Sequence, residues 1–248
     1  MTTSPSPLFW RGNGRLWVRN YAAPAAPLVR LANVQSLKIL IQEKTDTLQD
    51  YDNPSGGIAA MSSRIVGAEV AFVIHDLNPD NMARFLWGSA ATRSGNHVTA
   101  ELHVAYHGAL VELDQVGATA VVVKSADDTT TFTAGDDYQL HGAGLYIPPT
   151  SSIADGASIH VAYTYPTQYQ VDAMLGAGYE LTLLFDGLNL ARDGSLKKVN
   201  CWRVKCAPPR ELFVKDDRFG TLTITGQLLA DTTRPTGQSQ YFTETSVF

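Results

Sequence analysis

The stretch IVGAEVAFVIHDLNPDNMARFLWG, from position 65, constrains the fold more than any other part of the chain. Val66, Ala68, Val70, Phe72 and Ile74 recur at every second residue, while Glu69 and His75 fall on the other face. A period of two predicts a strand with one packed face and one wet face. The period then changes. Asn78 is suited to cap a helix through its side-chain oxygen, Pro79 suits the first helical position, and Asp80 complements the positive end of the peptide dipoles. Met82, Phe85 and Leu86 form a stripe that Gly88 closes. The expected result is a short helix laid over the packed face of a sheet, with Asp76 aiding the turn between them.

Residues 8–19, LFWRGNGRLWVR, carry apolar residues on both sides of Gly-Asn-Gly, a strong local hairpin signal. Residues 1–27 are therefore read as a basic N-terminal hairpin or arm, ending in the Ala/Pro stretch at 22–27. Next, Leu37, Ile39 and Ile41 alternate with Ser36, Lys38, Gln42 and Lys44, as in a strand. Before the strand at 65 comes DTLQDYDNPSGGIAAMSSR, which shows no period of its own. A connection this long is either a contact arm or a surface excursion. Leu48, Tyr51, Ile58 and Met61 are its candidate apolar anchors, and Pro54, Gly56 and Gly57 permit a bent path.

Charge divides the chain. Residues 97–167 hold eight acids against Lys124 alone, a net of −7, which leaves +2 for the rest of a chain whose total is −5. The first 42 residues contain five cations and no carboxylate. Within 97–167, ATAVVVKS, TTTFTAGDDYQL, AGLYIPP and ASIHVAYTY read as short strands separated by turn residues. This segment is expected to be a small acidic β domain inserted into a discontinuous sheet-rich domain made of 28–96 and 168–248. In the latter, Leu181, Leu183 and Phe185 alternate with Glu180, Thr182 and Asp186, and Leu222 and Ile224 alternate with Thr221, Thr223 and Thr225. The fold class is mainly β, of sandwich or barrel type, with one short helix.

No nucleotide loop, nucleophile elbow or paired C-x-x-C occurs, so no catalytic set assembles and neither enzyme activity nor a cofactor is expected. His97, His103 and His107 do not have the spacing of a metal site, and Asp127-Asp128 and Asp136-Asp137 read as hairpin turns. The four tryptophans do not cluster in sequence and are read as core or interface anchors. Cys201 and Cys206, five residues apart in a strand, lie roughly 16 Å from one another, beyond disulfide reach. Reduced thiols in a cytoplasmic product are expected, and no run of about 18 apolar residues suggests a membrane span.

The order of elements, with FDGLN, WRVKCAPP and FGTLTITGQLLADTT following the insert, resembles the tail tube (major tail) proteins of long-tailed bacteriophages. The resemblance is particularly to forms carrying an inserted immunoglobulin-like domain, and it covers roughly residues 28–248. The resemblance implies a homo-oligomeric ring, hexameric in the family, that stacks into a tube in the virion tail after assembly in the host cytoplasm. Its partners would be the tape measure, terminator and distal tail proteins. Double-stranded DNA would pass through without sequence-specific binding. Four strands per subunit give about 24 strands, which at ~4.8 Å spacing and ~45° tilt close a barrel of roughly 50 Å. Cations would retard sliding DNA, so a neutral or acidic lining is implied. Glu69, His75, Glu180, Thr182, Asp186, Thr221, Thr223, Thr225 and Gln227 are the lumen-facing candidates, with Lys38 and Lys44 against the trend. The loop carrying Leu48, Tyr51, Pro54, Gly56, Gly57, Ile58 and Met61 would join one ring to the next, while Tyr241 and Phe242 would serve within a ring. Two other readings are a related ring-forming distal-tail or secretion-tube component and a carbohydrate-binding β protein that uses the insert.

Overall fold

The computed structural model describes residues 9–191 and 194–247. The chain is mainly β, with one α-helix among the described residues. In order it runs β1 (Gly12–Asn20), β2 (Val29–Leu31), β3 (Val34–Gln49), β4 (Ile58–Ile74), α1 (Pro79–Phe85) and β5 (Ser89–Arg93). There follow β6 (Asn96–Ala105), β7 (Leu110–Glu112), β8 (Thr119–Ser125), β9 (Thr131–Phe132), β10 (Gln139–His141), β11 (Gly144–Tyr146) and β12 (Ala157–Tyr165). The chain ends with β13 (Gln168–Asp172), β14 (Glu180–Asn189), β15 (Leu196–Cys206), β16 (Leu222–Leu228) and β17 (Phe242–Ser246). Two compact units result, one formed by the chain up to Ala90 and from Val171 onward, the other by Ala91–Gln170. The paired strands β5 and β13 carry the chain out and back.

The first unit is an eight-stranded antiparallel sheet in the order β2-β1-β14-β15-β16-β4-β3, with β17 added to β15. Strand β15 serves both halves, because residues 197–201 pair with β17 and residues 204–206 with β16. One buried cluster takes Leu16, Val18 and Leu31 from one end of this order and Val70, Phe72 and Ile74 from the other. Strands so far apart in the order meet only if the sheet bends round a common core. Helix α1 closes that core, with Phe85 fully buried and its ring edge-on to Phe72 at 5.7 Å between centroids.

The helix start follows from its sequence. The Asn78 side-chain oxygen accepts from the Asn81 N–H at 2.9 Å, and Asn78 itself donates to Asp76 Oδ2 at 2.9 Å. Asn78→Ala is expected to cost about 1 kcal/mol, read by denaturant unfolding. At the other end the left-handed residue is Trp87, not Gly88. Gly88 is required for another reason, since a Cβ there would lie 1.9 Å from the Asp172 carbonyl oxygen.

Four expectations are corrected. Gly12-Asn13-Gly14 is no turn: β1 runs straight through it, pairing Asn13 with Leu188 and Gly14 with Gly187. A Cβ on Gly14 would stand 2.3 Å from the Asp186 carbonyl oxygen, so the glycine permits close strand approach. The segment 1–27 is accordingly not a separate hairpin, because β1 lies inside the sheet between β2 and β14; residues 1–8 fall outside the described ones. The long loop between the third and fourth strands is mostly strand, with β3 continuing to Gln49 and β4 beginning at Ile58. Val66, expected on the packed face, is exposed, because Gln42 pairs with Gly67 and Glu43 with Ile65, leaving it in a bulge.

The second unit places the four-stranded sheet β6-β12-β8-β9 and the three-stranded sheet β10-β11-β7 round one core that includes Val123, Leu145, Ile147, Ile159, Val161 and Tyr163. The two aspartate pairs sit in turns, as expected: Asp127 Oδ1 accepts from Ser125 and Thr129, and the Asp137 carboxylate from the Thr133 and Ser152 N–H groups. Glu101, on β6, is held differently. Its oxygens accept from Tyr163 O–H, from the Asp114 N–H at 2.9 Å and from His103 Nε2 at 2.6 Å. Burial alone would push its carboxyl up, but the bonds from Tyr163, Asp114 and His103 outweigh burial and hold it below the usual range. A depressed carboxyl stabilises the fold above its unfolded value, about 4.3 for glutamate, and that contribution is lost as pH falls through the folded value. Glu101→Gln should therefore lower the melting temperature at neutral pH, with the gap from the parent closing under acid conditions.

Candidate assembly surfaces

Beyond the core, β3 and β4 leave the sheet as a two-stranded ribbon. Residues 41–49 and 51–66 are all exposed, on both faces, with only Asp50 partly covered. Eight residues of β3 past Ile41 extend roughly 26 Å at ~3.3 Å per residue. The tip is ordered locally: Asp50 N–H donates to the Gly57 carbonyl at 2.8 Å, and the Asp50 carboxylate accepts from the N–H groups of Asp52 and Asn53. Gly56 and Gly57 supply positive φ values of 66° and 150°, which other residues adopt only under strain. Tyr51 and Pro54 lie in this tip, exposed.

Register sorts the anchors. Residues paired across an antiparallel ladder share a face. The face continuing the core, on which Ile41 pairs with the buried Ala68, carries Ile65 opposite Glu43, Met61 opposite Thr47 and Ile58 opposite Gln49. The reverse face carries Leu48 opposite Ala60, Arg64 opposite Lys44, and a Lys44–Asp46 ion pair at 3.8 Å between exposed partners. Leu48 is thus separated from Ile58 and Met61, with which the sequence groups it. Ile41 and Ile65, 60% and 73% exposed, belong to the apolar face instead. A two-stranded ribbon alone is marginally stable in water, and this one shows four large apolar side chains on one face.

The lumen candidates do not form one patch. A continuous row runs from Glu180 to Lys205, Gln227, Glu69 and Leu40 across β14, β15, β16, β4 and β3. Thr225 and Thr223 continue the wet side of β16, facing Ala71 and Val73, while Thr221 precedes the strand and His75 follows β4, bonded to Gln35 at 3.2 Å. Among these, Glu180 is already neutralised. Arg203 grips it with two bonds, 2.7 and 3.2 Å, which hold its carboxyl below the usual range. The stretch formed by Thr223, Thr225, Gln227, Glu69 and Lys38 is therefore polar and near neutral. Thr182 is corrected: it is 8% exposed, because its hydroxyl donates to the Trp202 carbonyl at the bulge of β15. Asp186 lies elsewhere on β14, opposite Arg15 and Lys198.

The histidines are held separately. His103 bonds Glu101, His107 Nε2 bonds the Ile153 carbonyl at 2.7 Å, and His97 bonds Thr164. Cys201 and Cys206 are free thiols, and burial pushes both up to about 12, so neither is reactive at neutral pH. Sequence reasoning passed over the connection between β15 and β16, where Phe213, Val214 and Phe219 are exposed. Their only signal, with Leu212 beside them, is a few large apolar residues in a stretch otherwise rich in charge and proline.

The family described as "Protein of unknown function UCP028589" matches residues 9–245, nearly the whole chain. Comparison with curated proteins gives no match.

Proposed function

The chain belongs to that family, and we propose that it is a structural subunit of a phage tail tube, assembling into stacked rings that conduct DNA out of the capsid. The observation that carries this reading is the ribbon of β3 and β4. It projects past the core with Ile41, Ile58, Met61 and Ile65 on one face, a surface that water serves poorly and a neighbouring subunit serves well. The near-neutral wet stretch on β16 and β4 supports the second half of the reading. Uncharged threonine and glutamine side chains release no counterions when a phosphate passes, so a duplex meets little resistance there. Hexameric symmetry, the partner tail proteins and residence in the virion follow from the resemblance of the sequence to tail tube proteins.

Negative-stain microscopy of the purified protein tests this directly. Rings, and tubes at high concentration or on a tail scaffold, are the expected result. A monodisperse monomer under every condition, including with tail-assembly partners, would remove the reading.

A further inference from the structure

The main unit carries a face that is at once apolar and basic. On β1, β14, β15 and β17 the side chains turned away from the core form registered rows. One row is apolar: Leu188 pairs with Leu196, and the Val247 N–H donates to the Leu196 carbonyl at 2.9 Å. These three residues are 39%, 55% and 62% exposed. The next row runs Arg15, Asp186, Lys198 and Thr245, and Arg30 lies beside it, paired with Trp17 on the same face. Arg15, Arg30, Asp186, Leu188 and Leu196 together line a depression of about 420 Å³. Among the described residues, none of Arg15, Arg30, Lys198 and Asp186 has an ion-pair partner. Three cations therefore surround one carboxylate, and the face keeps a positive excess.

The ribbon of β3 and β4 has the complementary character. Its apolar face holds Ile41, Ile58, Met61 and Ile65, and the one charge on that face is Glu43, because Lys44, Asp46 and Arg64 lie on the reverse. Residues 41–66 hold four carboxylates against two cations, a net of −2. We infer that the ribbon of one copy lies across the face of β1, β14, β15 and β17 of a second copy, its apolar side on Leu188, Leu196 and Val247 and Glu43 among Arg15, Arg30 and Lys198. The inference rests on the ribbon being the stacking surface and names what receives it. A ribbon-on-ribbon contact would close as a pair and bring like charges together, whereas a stack needs a contact between two different surfaces. The chain's own ribbon is exposed and leaves the face uncovered. The other exposed apolar stretches of this unit lack the charge: 174–179 has none, and 212–219 has two of each sign. Duplex DNA would answer the cations but leave the apolar row in water.

The test mixes two differently tagged batches of the full chain. One carries Ile58→Cys, Met61→Cys or Ile65→Cys, and the other Leu188→Cys or Leu196→Cys. Ser62→Cys, on the reverse face of the ribbon opposite Asp46, is the control. The native thiols are buried and do not compete. Mild oxidation should give a mixed disulfide dimer from at least one apolar-face combination, at least about tenfold above the control, since a contact that holds two thiols together raises their effective concentration. Arg15→Glu with Lys198→Glu in the receiving batch should cut that yield about tenfold, and Glu43→Lys in the ribbon batch should restore part of it. Salt should also lower the yield by screening the attraction. Both reversed residues are exposed and unpaired, so the variant should melt close to the parent. Apolar-face cysteines that couple no better than Ser62→Cys, or a yield indifferent to the charge reversal, would overturn the inference. Retention of duplex DNA that the reversal abolishes, without coupling, would assign the face to nucleic acid instead. Microscopy of the parent protein separates the two proposals: tubes without coupling refute the receiving face and leave the tube reading, and coupling without tubes does the reverse.

Discussion

Replacing Ile58, Met61 and Ile65 together with serine is expected to leave the protomer folded and to abolish tubes. All three are exposed on one ribbon face, so their removal costs the isolated protomer little, within about 0.5 kcal/mol each. In an assembly that buries them, each side chain is worth about 2 kcal/mol. Together they contribute about 6 kcal/mol per contact, and at 1.4 kcal/mol per decade the loss exceeds a thousandfold in affinity. Leu48→Ser on the opposite face removes one anchor beside the charged Lys44, Arg64 and Asp46, and is expected to shorten tubes without eliminating them. The readouts are tube length by microscopy and melting temperature of the protomer. Normal tubes from the triple variant would show that the apolar face is not the contact.

The second large effect lies in the core. Phe85→Ala is expected to destabilise the main unit by about 3–5 kcal/mol, because the ring is fully buried, packs edge-on against Phe72 and ties α1 to the sheet. Met82, only partly buried on the same helix, should cost distinctly less when truncated to alanine. Denaturant unfolding measures both. Equal losses would mean that the helix is held by its ends and not by the Phe72–Phe85 contact.

Signals that act within a few residues were legible in the sequence. The alternation from Ala68 to Ile74 and the Asn78 cap depend on neighbours along the chain, and both appear with the expected partners. Gly-Asn-Gly misleads because its glycines answer to a strand far away in the chain: Gly14 makes room for the backbone at Asp186, which no local pattern reveals. The ribbon was misread for a different reason. Periodicity needs an unbroken alternation, and here Thr45, Thr47 and Ser63 interrupt the apolar face while bulges at Val66 and Ala59 shift the period along β4, so the two faces separate only once the register is known. Bulges at Val66 and near Trp202 shifted side chains by one residue, which exposed Val66 and helped to cover Thr182.

Hydrogen exchange reports most directly on the ribbon as an assembly surface. Main-chain amides of residues 41–49 and 58–66 should exchange rapidly in the dispersed protomer, since an isolated two-stranded ribbon opens easily. In assembled protein the same amides should be protected to the degree of the core residues 70–74. Ribbon amides that exchange equally fast in both states, while the protein is demonstrably assembled, would contradict the account.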